Sequence, residues 1–124
     1  MDGSATIADI LKAHAAREGA LLPILHDVQH ALGCIPPEGE AQIAAALNLS
    51  RAEVHGEVSF YPDFTETPDP RPCIELCRAE ACQARGVELL AEAARAAAGE
   101  RVRLKTVYCL GLCSAGPAAR VGDT

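Results

Sequence analysis

The first half of the chain has the hydrophobic spacing of short amphipathic helices. Apolar residues recur at intervals of three and four, which places them on one face of a helix. The spacing predicts helices over residues 6–17, 21–32 and 37–47, and a fourth from about 51 to 58. Four such helices in succession predict a small helical bundle over residues 1–58.

Residues typical of helix ends support these boundaries. Ser4 is the predicted N-cap of the first helix, and Gly19 is its predicted stop. Pro37 falls in the first turn of the third helix, where its missing N–H has no partner to lose. Ser50 and Glu53 have the spacing of a capping box at the start of the fourth helix.

Three histidines lie in the first two predicted helices. His14 falls on the apolar face of the first helix, so we expect a partly buried core side chain. His26 and His30 are one turn apart in the second helix, a spacing that can bind a metal on an exposed face. No third ligand is close in sequence, which favours a solvated polar face.

Residues 59–71 differ in character from the helices that precede them. Three of the four aromatic residues fall here, at Phe60, Tyr61 and Phe64, and three prolines interrupt regular structure. One interpretation is a linker whose aromatic rings pack on the bundle. The other is a segment that also contacts a partner, because aromatic side chains often anchor interfaces.

From residue 72 the pattern becomes that of a strand, a helix and a second strand. The first strand ends at Cys77, the helix is predicted over residues 82–98, and the second strand begins near Val102 and ends at Cys109. This is an α/β unit with a cysteine-containing loop at the carboxyl end of each strand. Functional loops lie at that end of such sheets, so we expect the two loops to meet.

The two loops carry cysteine pairs with defined spacing. Cys77 and Cys82 form a C-x4-C pair, and Cys109 and Cys113 form a C-x3-C pair. Four thiolates on two loops are what a [2Fe-2S] cluster requires. Structural zinc is the alternative, but its sites usually contain C-x2-C pairs. No catalytic triad, phosphate-binding loop or acid–base pair is evident, so the chemistry predicted is one-electron transfer.

Other residues near the pairs have predicted supporting roles. Cys82 lies near a helix N-terminus, which favours a thiolate, and Gly111 allows a tight turn in the second loop. Gly86 is expected to relieve close packing. Cys34 and Cys73 are interpreted as small buried hydrophobic residues, with Cys73 a competing but sterically awkward ligand.

Composition narrows the class of protein further. The formal charge of −6 disfavours nucleic acid as a partner, since phosphate binding needs a basic face. No apolar run approaches the roughly 20 residues of a membrane span, and the N-terminus lacks the features of a signal peptide. We therefore expect a cytoplasmic protein without direct membrane contact, in which six cysteines indicate metal or redox chemistry.

Three stretches together resemble the thioredoxin-like [2Fe-2S] ferredoxin family. They are Phe60-Tyr61…Phe64, Leu76-Cys77-x4-Cys82-x3-Gly86 and Cys109-Leu110-Gly111-x-Cys113-x3-Pro117. This family includes the 24-kilodalton-type subunit of respiratory complex I and corresponding subunits of NAD-reducing hydrogenases and NAD-dependent formate dehydrogenases.

The resemblance implies both a domain organisation and a ligand set. It implies a thioredoxin-like α/β [2Fe-2S] domain over residues 72–124, behind the helical bundle of residues 1–58 and a linker over residues 59–71. Further strand and helix are expected to follow Thr124, which would make the chain truncated at its C-terminus. The implied cluster ligands are Cys77, Cys82, Cys109 and Cys113.

Two stretches within these regions are most similar to gamma subunits of soluble, molybdenum-containing NAD-dependent formate dehydrogenases. They are Leu76–Gln83 and Phe60–Phe64. This similarity implies a non-catalytic electron-transfer subunit beside a diaphorase subunit that binds FMN and NAD(H). It also implies a large subunit with molybdopterin and further Fe–S clusters. The alternatives are the equivalent subunit of complex I or of an NAD-reducing hydrogenase, and a zinc-stabilised interaction module without a redox role.

Overall fold

The computed structural model describes residues 3–122 and residue 124. The chain divides between Pro70 and Arg71 into two compact units. We call residues 3–70 the helical unit and residues 71–124 the sheet unit. Within the described residues, the structure contains no helix of the length and apolar character that a membrane crossing requires.

The helical unit consists of four helices. They are α1 (Gly3–Ala13), α2 (Leu21–Leu32), α3 (Pro37–Leu47) and α4 (Arg51–Phe60). Helix α1 packs on α2 and α3, and α4 packs on α3 and α2. The apolar faces meet in one core that includes the fully buried side chains of Ile24, Leu25 and Ile43. The four-helix prediction is confirmed.

Helix α1 begins and ends earlier than its apolar spacing predicted. It starts at Gly3, so Ser4 lies inside the first turn and the predicted N-cap is wrong. It ends at Ala13, and residues 14–16 continue as a turn. His14 instead pairs with Asp27 of α2, with 2.7 Å between its Nε2 and the carboxylate, and only 13% of its side chain is exposed.

The ends of α3 and α4 follow the sequence closely. Pro37 occupies the first turn of α3, and Asn48 closes that helix in the left-handed conformation with φ of 56°. Ser50 and Glu53 form the capping box in full: the Ser50 hydroxyl accepts from the Glu53 amide, and the Glu53 carboxylate accepts from the Ser50 amide. Helix α4 continues to Phe60, two residues beyond the predicted end.

The segment after α4 is attached to the helices by polar contacts. The Gln29 side chain donates to Thr65 Oγ1 at 3.0 Å and accepts from the Thr65 amide at 3.0 Å. The Thr65 carbonyl accepts from the Ile35 amide at 2.7 Å. Phe64 is buried in the helical core, whereas Phe60 is 76% exposed. Phe64 of this segment thus packs on the bundle, whereas Phe60, at the end of α4, is available to solvent.

In the residues that the structure describes, the sheet unit contains three strands and three short helical segments. They are β1 (Cys73–Cys77), α5 (Glu80–Ala84), α6 (Val87–Ala98), β2 (Arg103–Val107), the 3-10 turn Cys113–Ala115 and β3 (Ala119–Val121). The strand order is β2-β1-β3, with β1 parallel to β2 and antiparallel to β3. The α/β prediction is confirmed.

Two details of the sheet unit differ from the prediction. The single helix expected over residues 82–98 is two helices, because Gly86 adopts a left-handed φ of 88° between them. A Cβ at Gly86 would meet no atom within 4 Å, so its role is conformational rather than relief of close packing. The sheet also has the third strand β3, which the sequence pattern did not predict.

The central strand carries apolar side chains on one face and a buried charge on the other. Leu76 packs with Val87 and Ala91 of α6. Glu75, only 8% exposed, forms ion pairs with both neighbouring strands: Arg120 Nε of β3 donates to it at 2.7 Å, and Lys105 Nζ of β2 lies 3.9 Å away. Opposite charges on both sides offset the cost of burying the carboxylate.

Candidate metal centre

The two cysteine loops leave the sheet at the same end. Strands β1 and β2 are parallel, and Cys77, the last residue of β1, is in register with Val107, the last residue of β2. Cys109 follows two residues later. The Arg78 amide donates to the Val107 carbonyl at 2.9 Å, which continues the pairing of the chains into the loops. Parallel pairing is therefore what brings the two loops together.

A hydrogen bond joins the loops directly at their first cysteines. The Cys109 amide donates to Cys77 Sγ at 3.2 Å. Cys109 adopts a φ of 85°, which is uncommon for a residue other than glycine. Gly111, with φ of 78°, then turns its amide back onto Cys109 Sγ at 3.4 Å. The expected tight turn at Gly111 is confirmed, and both sulfurs receive backbone N–H donors.

The four sulfurs fall into two pairs. Cys109 Sγ and Cys113 Sγ are 3.7 Å apart, and the side chains of Cys77 and Cys82 are hydrogen-bonded to each other. A tetrahedral metal with metal–sulfur bonds of about 2.3 Å separates its sulfur ligands by about 3.8 Å. The separation of the second pair therefore fits two ligands of one metal ion.

The arrangement of the four sulfurs bears on whether the site fits a single metal ion or a two-iron cluster. Within the described residues, no three cysteine sulfurs all lie within 4.8 Å of one another. One tetrahedral zinc ion would need four sulfurs at mutual distances of about 3.8 Å. Each sulfur is therefore more than 4.8 Å from at least one sulfur of the other pair. This arrangement fits a two-iron cluster, in which each iron takes two cysteines and shares bridging sulfides. The donor set thus fits a [2Fe-2S] cluster better than zinc.

Hydrogen bonds at the sulfurs shift the thiol pKa values in opposite directions. The backbone amide of Ala79 lowers the pKa of Cys77, with further contributions from the amides of Cys109 and Leu110. The hydrogen bond that Cys82 shares with Cys77 raises the pKa of Cys82, and burial raises it further. The expectation that the helix N-terminus favours a Cys82 thiolate is therefore wrong for the metal-free thiols, because the hydrogen bond with Cys77 and burial raise the pKa of Cys82.

The hydrogen bond to Cys109 likewise raises the pKa of Cys113. Cys109 and Cys113 are exposed, whereas Cys77 and Cys82 are each 2% exposed. One sulfur pair is therefore enclosed by protein and the other faces solvent.

The chain after the second loop closes over the enclosed pair. Gly116 lies so close that a Cβ there would be 3.1 Å from Cys82 Sγ. The carbonyl of Ala118 accepts from the Cys77 amide at 3.0 Å. Sequence reasoning did not identify either contact. The sequence feature that could have indicated these contacts is Gly116-Pro117, since a Gly-Pro step marks a turn soon after the cysteine loop.

The remaining two cysteines are Cys34, in the helical unit, and Cys73, in the sheet unit. Cys73 begins β1 and is four residues from Cys77, or about 13 Å along an extended strand. Cys73 and Cys34 are both partly exposed rather than fully buried as expected. Cys73 therefore occupies the opposite end of the strand from the two loops.

Exposed apolar side chains border the open side of the site. Tyr108 is 74% exposed and Leu112 is 54% exposed, and each is adjacent in sequence to one of the exposed cysteines. Sequence reasoning did not identify this border, because apolar residues in a short loop have no periodicity that shows which side they face.

Comparisons with known proteins agree with this chemistry. The family model described as thioredoxin-like [2Fe-2S] ferredoxin matches residues 7–124. The chain is 27% identical over 126 residues to the NADP-reducing hydrogenase subunit HndA of Solidesulfovibrio fructosivorans, an alignment that covers 94% of this chain and 74% of that protein.

Two further relatives are similar to most of this chain. An NADH-quinone oxidoreductase subunit of Aquifex aeolicus is 31% identical over 113 residues, which covers 84% of this chain and 71% of that protein. The NAD-reducing hydrogenase HoxS subunit alpha of Cupriavidus necator is 33% identical over 95 residues, which covers 77% of this chain and 16% of the larger protein.

Proposed function

Because this chain belongs to the thioredoxin-like [2Fe-2S] ferredoxin family, we propose that it is an electron-transfer subunit of an NAD-linked oxidoreductase. Its ligands are Cys77, Cys82, Cys109 and Cys113. The observation that carries the proposal is the hydrogen bond from the Cys109 amide to Cys77 Sγ, since it joins the two cysteine loops at one end of the sheet. When bound, a [2Fe-2S] cluster supplies one-electron transfer.

The residues around the sulfurs support this role in two ways. Backbone amides that donate to Cys77 and Cys109 stabilise negative charge on the sulfurs. The protein buries Cys77 and Cys82 and so excludes water from that side of the site. Cys109 and Cys113 are exposed, which leaves their side open to a redox partner. In this role the chain transfers electrons and needs no substrate site of its own.

The proposed redox partner is a diaphorase subunit that binds FMN and NAD(H). Tyr108 and Leu112, which border the open side of the site, are the side chains that would contact it first. The names of the relatives support an NAD-linked partner, since they include an NADH-quinone oxidoreductase and an NAD-reducing hydrogenase.

We propose that the host enzyme is a cytoplasmic NAD-dependent formate dehydrogenase, which converts formate and NAD+ to CO2 and NADH. The support is the similarity of Leu76–Gln83 and Phe60–Phe64 to gamma subunits of that enzyme. The other partner would then be a large subunit with molybdopterin and further Fe–S clusters. Complex I and an NAD-reducing hydrogenase are the alternative hosts, and the named relatives favour these.

The cluster is tested by absorption spectroscopy with iron and sulfide analysis on anaerobically purified protein. We expect a red-brown protein with equal iron and sulfide, which Cys82→Ser abolishes. Cys73→Ser is the matched control and should retain the colour, because Cys73 lies at the other end of β1. A colourless wild type that contains zinc would overturn the proposal in favour of an interaction module.

The host is tested by affinity purification of the tagged chain from its own cells. A complex that contains molybdenum and reduces NAD+ with formate supports the formate dehydrogenase assignment. A complex that reduces NAD+ with hydrogen, or that transfers electrons from NADH to quinone, would replace that assignment with one of the alternatives. Either result leaves the cluster test unaffected.

A further inference from the structure

A second group of candidate metal ligands lies in the helical unit. It consists of Glu40 on α3, His55 on α4 and Glu66 in the segment after α4. His55 Nδ1 lies 3.1 Å from Glu40 Oε2 and 3.9 Å from Glu66 Oε1. Among the residues that the structure describes, no other set of three His, Cys, Asp or Glu side chains has ligand atoms that all lie within 4.8 Å of one another.

The carboxylate of Glu40 has less hydrogen bonding than its burial requires. Glu40 is 4% exposed, and within the described residues its carboxylate contacts the single nitrogen His55 Nδ1, at 3.2 Å from one oxygen and 3.1 Å from the other. One N–H cannot satisfy two carboxylate oxygens with about four lone-pair sites. A buried carboxylate is costly unless it is paired or coordinates a metal, so the group has acceptor capacity that the protein does not use.

These side chains face an open depression on the surface. It has a volume of about 470 Å³ and is lined by Pro37, Glu40, Arg51, Ala52, His55 and Glu66. His55 and Glu66 are more than half exposed, so an ion and its water ligands can enter without rearrangement of the core.

We propose that Glu40, His55 and Glu66 bind one divalent transition-metal ion, with Zn²⁺ as the preferred occupant. Metal–nitrogen bonds of about 2.0–2.1 Å and metal–oxygen bonds of about 2.0–2.2 Å place neighbouring ligand atoms roughly 3–4 Å apart. The two distances from His55 Nδ1 fall in this range. An imidazole ligand favours Zn²⁺ over Mg²⁺ or Ca²⁺, and the depression leaves the remaining coordination positions to water.

The ion joins three separate parts of the helical unit. It links α3 to α4, and it links both helices to the segment after α4, which Gln29 holds at Thr65, the residue before Glu66. Arg51 lines the same depression and opposes the charge of the cation. Replacement of Arg51 by Gln should therefore strengthen binding of the ion.

The test measures Zn²⁺ bound to the full chain that retains its iron and sulfide. The protein is dialysed against buffered free Zn²⁺ and its zinc content is measured, while the absorption spectrum reports any loss of iron from the cysteines. We expect one Zn²⁺ per chain with the spectrum unchanged. His55→Gln and Glu66→Gln should each weaken binding by roughly 10- to 100-fold or more, a range typical of perturbed metal sites.

Matched controls separate this site from general surface binding. His30→Gln and Glu38→Gln remove an exposed histidine and an exposed glutamate from the same unit, and both should bind Zn²⁺ as the wild type does. Glu66 is exposed in an irregular segment, so its variant should fold normally. The proposal is overturned if the wild type binds no Zn²⁺, or if the His55 and Glu66 variants retain wild-type affinity.

Discussion

Among the described residues, the helical unit buries eleven apolar side chains in one cluster, whereas the sheet unit buries six. The eleven are aliphatic or aromatic throughout. Of the six, two are Cys77 and Cys82, which are proposed ligands, and two are alanines. The helical unit therefore has a core of ordinary hydrophobic side chains, and the sheet unit depends for a third of its core on cysteine side chains.

This difference indicates different sources of stability. Burial of apolar surface contributes about 25 cal/mol per Å², which favours the helical unit with its larger aliphatic side chains. A small domain with a thin core usually needs a metal, a disulfide or a partner. Where ligands come together only in the folded state, the free energy of metal binding contributes to folding. The proposed cluster would thus be structural as well as functional in the sheet unit.

Removal of the metal is expected to have the largest effect and to affect one unit only. Iron chelation under reducing conditions should unfold the sheet unit, because its core then has two unligated thiols and few large apolar side chains. Amide hydrogen exchange measured by mass spectrometry should show loss of protection in Cys73–Cys77 and in α6, with α2 and α3 unchanged. Equal protection of the strand with and without iron would contradict the comparison.

A core truncation in the helical unit should destabilise that unit and leave the sheet unit unaffected. Ile43 is fully buried, so Ile43→Ala removes buried apolar surface and creates a cavity that costs about 2–5 kcal/mol. Chemical denaturation followed by far-UV circular dichroism should show this loss. The absorption of the iron–sulfur site should remain at its wild-type intensity in the native protein. A parallel loss of colour without denaturant would show that the two units are not independent.

Replacement of a glycine in α4 should increase the stability of the helical unit, by less than Ile43→Ala decreases it. A Cβ at Gly56 would meet no atom within 4 Å, so Gly56→Ala should stabilise the helix by about 1 kcal/mol through its higher helix propensity. Gly39→Ala is the matched control. The Cβ that it adds would lie 2.8 Å from the buried Cδ1 of Ile7, so this variant should destabilise the same unit. Thermal denaturation should show a raised melting temperature for Gly56→Ala and a lowered one for Gly39→Ala. Shifts of both variants in the same direction would contradict the prediction.

The smallest expected effect concerns the pH dependence of the capping box. The Ser50 amide, and then its hydroxyl, lower the folded-state pKa of Glu53 below its ordinary value of 4.5. The charged carboxylate therefore stabilises the fold above about pH 4.5, and this contribution is lost as the pH falls through the folded-state pKa. Glu53→Gln should lower the melting temperature at pH 7.

In acid the difference between Glu53→Gln and the wild type should disappear, since protonated Glu and Gln have the same charge and nearly the same shape. Melting temperatures measured from pH 7 to pH 3 provide the test. A difference that stays constant over this range would show that the carboxylate charge is not the cause.

The sequence predicted features that depend on local periodicity and spacing. The four helices, the capping box at Ser50 and the parallel strands were predictable because apolar spacing and cap residues act within one or two turns. The cysteine loops were predicted to meet because Cys77 and Cys109 were each placed at the carboxyl end of a strand of one α/β unit. Their hydrogen bond confirms that the loops meet, and their assignment as ligands stays a prediction.

Features that depend on contacts between distant residues could not be predicted in this way. Strand β3 has three exposed residues and no alternation that marks it, and it exists because it pairs with β1. The break between α5 and α6 depends on the positive φ of Gly86, and apolar spacing does not reveal the sign of that angle. The raised pKa of Cys82 depends on Cys77, five residues earlier in another element.

The charged triad of Glu75, Lys105 and Arg120 also bears on self-association. Strands β2 and β3 are the outer strands of the sheet in the part of the chain that the structure describes, and each carries a cation directed at the central glutamate. Charged side chains on outer strands discourage the addition of a strand from a second molecule. The contacts that hold the three strands together thus also protect the chain from sheet-mediated aggregation, a hazard during synthesis before the proposed cluster is inserted.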